Sequence, residues 1–148
     1  MTGASVGFAI HLLNLTTHQI STLPGSDGLY SPRWSPDGHY IAAMPADSQK
    51  LVLFDFATRK WAELYSGYIG YPSWSRDGKY IYFDNPFLGK EAAFLRARIS
   101  DRKLERLASL KDLGRIASMW TGLAPDDSPL LLRDVSVQEI YALDWQLP

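Results

Sequence analysis

The 148-residue chain contains no cysteine, which excludes disulfide bonds and cysteine-based metal sites and leaves its redox compartment undecided. Its formal net charge is only −1, so no broad electrostatic field draws it to nucleic acid or to an anionic membrane. The apolar run in residues 1–15 lacks the basic start of a signal peptide and is too short to span a bilayer. We therefore expect no membrane insertion and any export signal outside this chain, in a protein of either the periplasm or the cytoplasm.

The motifs of several enzyme classes are missing as well. The sequence has no Gly-x-Ser-x-Gly elbow, no glycine-rich phosphate loop and no Asp-x-Asp-x-Asp-Gly calcium loop. Of its three histidines, His18 and His39 are predicted at hairpin turns and His11 within an apolar strand, at different blade edges, so a shared metal site is not expected. The sequence therefore predicts a non-enzymatic chain without a cofactor or a bound metal.

What the chain does have is a repeat of about 40 residues, a period that favours β-propeller blades. The segment PRWSPDGHYIAA at residues 32–43 returns as PSWSRDGKYIYF at residues 72–83. A weaker third copy, GLAPDDSPLLLR, occupies residues 122–133. A unit that recurs in register with turn residues and alternating apolar positions indicates a repeat architecture.

A second part of the repeat is a hairpin. Residues 13–23, 54–64 and 97–107 align without a gap, and each has an apolar run, a short polar turn and a second apolar run. A complete unit therefore has four strands. In the first complete copy we predict them near residues 31–34, 40–44, 51–56 and 60–65.

These patterns predict an all-β fold of four-stranded antiparallel β-propeller blades in a single partial propeller domain, residues 1–148. We expect about three blades plus a partial N-terminal blade. The predicted boundaries are a half blade at 1–24, full blades at 25–66 and 67–110, and a three-stranded final blade at 111–148. The last strand of the final blade is predicted at residues 139–145.

The turn between the first two strands of each unit has its own chemistry. Asp37-Gly38 and Asp77-Gly78 suit it, because Asp can bond its own backbone and Gly accepts a positive φ. The third copy has Asp127 at the glycine position, which predicts a more strained or differently shaped turn. Trp34 and Trp74, just before these turns, are predicted to be buried at equivalent positions between blades.

The Trp-Ser-Pro-Asp-Gly motif resembles the WD40-like (PD40) repeat of TolB-like β-propellers. Residues 34–38 match it fully, residues 74–78 depart at one position and residues 123–127 at three. The resemblance implies a structural role for the motif residues Trp34, Asp37, Gly38, Trp74, Asp77 and Gly78.

The end of the chain also resembles the terminus of propellers attached to bacterial winged-helix regulators or kinases. This second resemblance implies the C-terminal blades of a larger bacterial sensor, whereas the TolB-like resemblance implies a periplasmic scaffold or the sensor part of a regulator. A propeller also precedes the hydrolase domain of prolyl-oligopeptidase-like enzymes. The alternative is therefore a substrate-filtering propeller domain whose catalytic domain is absent from this chain.

Candidate binding residues lie on the connections predicted to surround the propeller channel. Aromatic rings with a polar tip on short loops are typical of protein- and peptide-binding faces. We expect a protein, peptide or small ligand to be bound there, although packing between blades is an equal alternative for Tyr68 and Phe87. Packing is favoured for Tyr71 and Trp120. The predicted binding residues are Tyr30, Tyr68, Asn85 and Phe87.

Two further expectations concern partners. The basic residues between Arg96 and Arg106 are interleaved with Asp101 and Glu105, which is typical of a charged outer strand and not of nucleic-acid binding. Three blades cannot close a ring by themselves, since propellers typically have four to eight. The sequence therefore favours a homodimer closing a six-bladed ring, and the rival is closure by further blades of a longer protein.

Overall fold

The computed structural model describes residues 7–85, 92–111 and 116–133, and within these ranges the chain forms strands and no helix. These residues accordingly include no helix that could span a membrane. The strands are β1 His11–Leu13, β2 Ile20–Thr22, β3 Leu29–Trp34, β4 Tyr40–Pro45, β5 Lys50–Asp55, β6 Lys60–Ser66, β7 Ser73–Trp74, β8 Tyr80–Asn85, β9 Ala93–Arg98, β10 Leu104–Ser109, β11 Ile116–Leu123 and β12 Pro129–Arg133.

Two four-stranded antiparallel sheets confirm the predicted all-β class and its blade pattern. The first full blade has the order β3-β4-β5-β6, and the second full blade has the order β7-β8-β9-β10. Two-stranded sheets, β1-β2 and β11-β12, lie before and after them in the chain. The strand predicted at residues 139–145 lies outside the described residues.

The turn between the first two strands of each sheet explains the repeated motif. Gly38 and Gly78 have φ of 77° and 69°, in the left-handed region that favours glycine. Asp127 adopts the same conformation with φ 64°, a strained state for a non-glycine residue. The third turn is also one residue shorter. Its closing bond runs from Ala124 N to Ser128 O, whereas the first turn is closed from Ser35 N to Tyr40 O.

The second strand of the first full blade, β4, is buried on both faces because it lies between two apolar cores. Ile41 and Ala43 pack with the N-terminal hairpin around Phe54. Ala42 and Met44, which point to the opposite face, pack against the second full blade. This second core contains Ala42, Met44, Leu51, Leu53, Ile69, Ile81, Phe83, Ala93, Leu95 and Ala97.

The two repeat tryptophans do not share the burial predicted for them. Trp74 is half-buried, and its indole Nε1 donates a hydrogen bond of 3.0 Å to the Arg33 carbonyl in the first full blade. Its ring centroid lies 6.4 Å from that of Tyr40.

Trp34 is 52% exposed, so its predicted burial is wrong. The equivalent contact for Trp34 would come from the first two strands of a preceding blade. The described N-terminal sheet has only β1 and β2, which correspond to the last two strands of a blade. Trp34 stacks instead on Phe56 of its own blade, with ring centroids 5.3 Å apart.

Candidate binding face

The loop face is the end of the two full blades that lies opposite the Asp-Gly turns. It comprises the turn at residues 46–49, between β4 and β5, and the connection at residues 67–72. This connection leads from β6 into the second full blade. Gly67 N donates to Gln49 O at 2.9 Å, and Ile69 N donates to Ser48 O at 3.0 Å. These two backbone hydrogen bonds tie the connection to the turn and fix the position of the loop face.

The predicted tyrosines both lie on this face but differ in accessibility. Tyr30 is half-buried, and its hydroxyl is 2.5 Å from the Ser48 hydroxyl on the turn. Tyr68 is 36% exposed on the connection, and its neighbour Tyr71 is 40% exposed. The structure therefore presents Tyr68 and Tyr71 to solvent and uses the Tyr30 hydroxyl to hold the turn.

Asn85 lies beneath the loop face and not on its surface. The residue is 4% exposed, and its Nδ2 donates a weak hydrogen bond of 3.4 Å to the Tyr65 hydroxyl. Its Oδ1 is buried without a hydrogen-bond partner. The fourth predicted residue, Phe87, lies outside the described residues.

A buried carboxylate beside this face escaped the sequence analysis. Asp84 is fully buried, and its Oδ1 accepts a 3.0 Å hydrogen bond from the Thr121 hydroxyl of β11. Its carbonyl accepts from Gly70 N at 2.7 Å, and its Oδ2 has no partner. Burial raises the pKa of Asp84 above its ordinary value of 3.8, against the opposing effect of the Thr121 hydrogen bond. The sequence offered one signal for this site: Asp84 follows directly on the apolar run of residues 80–83.

Replacing Asp84 with asparagine is expected to flatten the dependence of stability on pH above 3.8. A raised folded-state pKa means that Asp84 stabilises the fold fully below pH 3.8 and that this contribution declines as the pH rises through the folded pKa. The amide is neutral throughout and keeps an oxygen for Thr121. Urea unfolding midpoints from about pH 4 to about pH 8 test this, with the exposed Asp27→Asn as control. Equal slopes for Asp84→Asn and the parent chain would contradict it.

The Asp-Gly turns at the opposite end show the reverse electrostatics. Asp37 Oδ1 accepts from the Ser35 hydroxyl at 2.6 Å and from His39 N at 3.0 Å, and these bonds lower its pKa. Lys79 N and the Ser75 hydroxyl do the same for Asp77. Both carboxylates therefore stabilise the turns above pH 3.8 and lose this effect as the pH falls through their lower folded pKa.

Two of the five basic residues of the β9–β10 hairpin, Arg96 and Arg98, form ion pairs. Arg96 and Arg98 both contact Glu105, at 2.7 Å and 3.2 Å, and Arg98 also contacts Asp101 at 3.1 Å. The Arg96 guanidinium lies 4.4 Å from the centroid of the Tyr80 ring. The hydrogen bond from Arg96 lowers the pKa of Glu105. Arg96, Arg98, Asp101 and Glu105 thus form a network of paired charges on this hairpin.

The described part of the chain also has histidine contacts and a groove between the blades, but no metal-binding cluster. No three His, Asp or Glu residues there lie close enough together to hold a metal ion. His11 Nδ1 is 3.1 Å from the Thr22 hydroxyl, and His39 Nδ1 is 3.4 Å from Asp37. A groove of about 350 Å³ lies between the two full blades, lined by Tyr40, Gly78, Lys79, Tyr80, Arg98, Ile99 and Ser100.

Comparison with known proteins supports the fold. No protein-family model and no curated protein sequence matches the chain. Among solved structures, TolB from Acinetobacter baumannii is similar at a TM-score of 0.60 and 23% identity, over 80% of this chain and 30% of that one. A structure described as TolB from Agrobacterium tumefaciens is similar at a TM-score of 0.55 and 25% identity, over 68% of this chain and 38% of that one.

A third similar structure comes from a study of two prolyl endopeptidases. Its TM-score is 0.60 at 15% identity, over 84% of this chain and 23% of that one. The chain thus spans well under half the length of each of these proteins. Its four-stranded sheets, its repeated Trp-Ser-x-Asp-Gly turns and these neighbours agree: the chain has a β-propeller blade fold similar to that of TolB.

Proposed function

We propose that this chain is a non-enzymatic propeller module that binds a protein, peptide or small ligand on its loop face, as a scaffold or as the sensor part of a larger protein. The observation that carries the proposal is the pair of exposed rings, Tyr68 and Tyr71, on a connection fixed by two backbone hydrogen bonds. A tyrosine ring offers a large apolar surface and a polar tip to a partner. Because the connection is already ordered, binding costs little further conformational entropy.

The groups on the loop face favour a partner that presents both apolar groups and hydrogen-bonding groups. The Tyr30 and Ser48 hydroxyls lie at the edge of the same face, within 2.5 Å of each other. A peptide backbone can exchange hydrogen bonds with such hydroxyls while its side chains cover the two exposed rings. We therefore favour a peptide segment over a charged small ligand.

Loss of both exposed rings is expected to weaken peptide binding strongly. Peptides selected from a displayed random library on the immobilised chain should bind the Tyr68→Ala/Tyr71→Ala variant at least about tenfold more weakly, a loss typical of truncated aromatic anchors. The matched control is His39→Ala/Lys79→Ala, which removes two exposed side chains from the opposite end of the blades. Affinities are measured by titration calorimetry, with circular dichroism to check folding.

Two outcomes would contradict the proposal. The selected peptides could bind the tyrosine variant as well as the parent chain, which would reject the loop face. The chain could also hydrolyse them, which would reject a non-enzymatic role.

A further inference from the structure

The two ends of the described chain carry complementary halves of a propeller blade. β1 and β2 stand at the positions of the last two strands, because residues 13–23 match residues 54–64 in the repeat. β11 and β12 stand at the positions of the first two strands, because residues 122–133 contain the third copy of the turn motif. We propose that a second copy of this chain binds these edges, so that β12 of one copy pairs with β1 of the other and completes a shared blade.

Both edges are open in the described part of the chain. β1 pairs only with β2, whereas its counterparts β5 and β9 each have strands on both sides. β12 pairs only with β11, whereas its counterparts β4 and β8 also pair with a third strand. The side chains near these edges include the exposed apolar residues Leu13, Ile20, Leu130, Leu131 and Leu132. An unpaired apolar edge strand is a template for pairing with another chain.

The contact between the two full blades shows what would cover Trp34. Trp74 donates its indole N–H to the carbonyl of Arg33, a residue on the first strand of the preceding blade. In the first full blade Arg33 pairs with Ala42, and in the last sheet Gly122 pairs with Leu130. Gly122 therefore stands at the position of Arg33. The partner's Gly122 carbonyl would therefore accept the hydrogen bond of Trp34, which is 52% exposed.

The repeat also fixes the register of the proposed pair. In the first full blade Ile41 pairs with Phe54 and Ala43 with Val52. Trp34 pairs with Ile41 in the first full blade, and its counterpart Leu123 pairs with Pro129 in the last sheet. Pro129 therefore stands at the position of Ile41. Leu13 takes the place of Phe54 in the aligned hairpins. The transferred register pairs Pro129 with Leu13, Leu130 with Leu12, and Leu131 with His11 across the two copies.

The blade count agrees with closure. Each copy contributes two full blades, and two copies share two composite blades, which gives a ring of six, within the four to eight blades of closed propellers. Two alternatives compete for the same surfaces. The strand predicted at residues 139–145 would occupy the outer edge of β12, and further blades of a longer protein would cover Trp34.

Engineered cysteines test the register directly, since the natural chain has none. In the variant Leu131→Cys/His11→Cys, the cysteines would face each other across the two copies, within reach of a disulfide. In the control Leu131→Cys/Thr22→Cys, the second cysteine lies one strand farther out, because Thr22 pairs with His11. Mild oxidation of the first variant should give a covalent species of twice the 16.6 kDa chain mass, at least about fivefold more than the control.

Light scattering of the parent chain at micromolar concentration should give the mass of two copies. Trp34→Ala should weaken this association about tenfold or more, as expected for a buried interface tryptophan. Leu104→Ala, which changes an exposed leucine at the opposite edge strand β10, should leave it unchanged. A stable monomer, or equal cross-linking of the two cysteine pairs, would overturn the proposal and favour one of the competing strands.

Discussion

Replacing the half-buried Trp74 with alanine is expected to lower the free energy of unfolding by about 3 kcal/mol, the lower end of the range for buried aromatic residues. The change removes the hydrogen bond to the Arg33 carbonyl and the contact with the Tyr40 ring, and both groups belong to the first full blade. It also leaves a gap between the two blades, and such a gap adds to the loss of stability. Urea unfolding followed by circular dichroism measures the loss.

Trp34→Ala is the matched control, since it removes the same side chain at the same position of the repeat. Its ring is 52% exposed and, among the described residues, stacks on Phe56, so a loss of about 1 kcal/mol is expected from that aromatic pair. The comparison is made in dilute solution, because a second copy bound over Trp34 would add a stability that rises with concentration. Equal losses for the two variants would show that the contact between the blades contributes little.

The blades themselves could be predicted from the sequence because their determinants are local. The strand that follows each Asp-Gly turn begins where the repeat places it, and the turn glycines Gly38 and Gly78 adopt the positive φ that the motif requires. Alternating apolar residues then fix which side chains enter the cores on either face of a strand. The same logic predicted a strained or differently shaped turn at Asp127, because the departure from glycine is visible in the sequence, whereas the shortening of that turn by one residue was not predicted.

Burial between blades could not be predicted in the same way, because it depends on what a neighbouring blade supplies. Trp34 and Trp74 occupy the same position of the repeat, yet within the part of the chain that the structure describes only Trp74 has the first strand of a preceding blade beside it. Asn85 was expected on the binding face and is buried below it, because its strand continues to residue 85 under the adjoining connection. The burial and bonding of Asp84 could not be predicted either, because its hydrogen-bond partners Gly70 and Thr121 are distant in sequence.

Gly70 is expected to tolerate no side chain, and Gly70→Ala should lower the free energy of unfolding by about 3 kcal/mol, the upper part of the range for overpacking. A Cβ atom at this position would lie only 1.8 Å from Asp84 Oδ1. The carboxylate cannot simply turn away, because it is fully buried and bonded to Thr121. The backbone cannot easily retreat either, because Gly70 N is bonded to the Asp84 carbonyl at 2.7 Å.

Gly28→Ala separates this clash from the general effect of replacing a glycine. Gly28 has a φ of 76° and no atom within 4 Å of the added Cβ, so only the backbone strain of about 1 kcal/mol is expected there. The double variant Gly70→Ala/Asp84→Ala should lose less than the sum of its two single variants, because removing the carboxylate removes the clash. Thermal or urea unfolding of Gly70→Ala, Gly28→Ala, Asp84→Ala and the double variant measures these losses of stability. A Gly70→Ala loss no larger than that of Gly28→Ala would mean that the connection moves away from Asp84 at little cost.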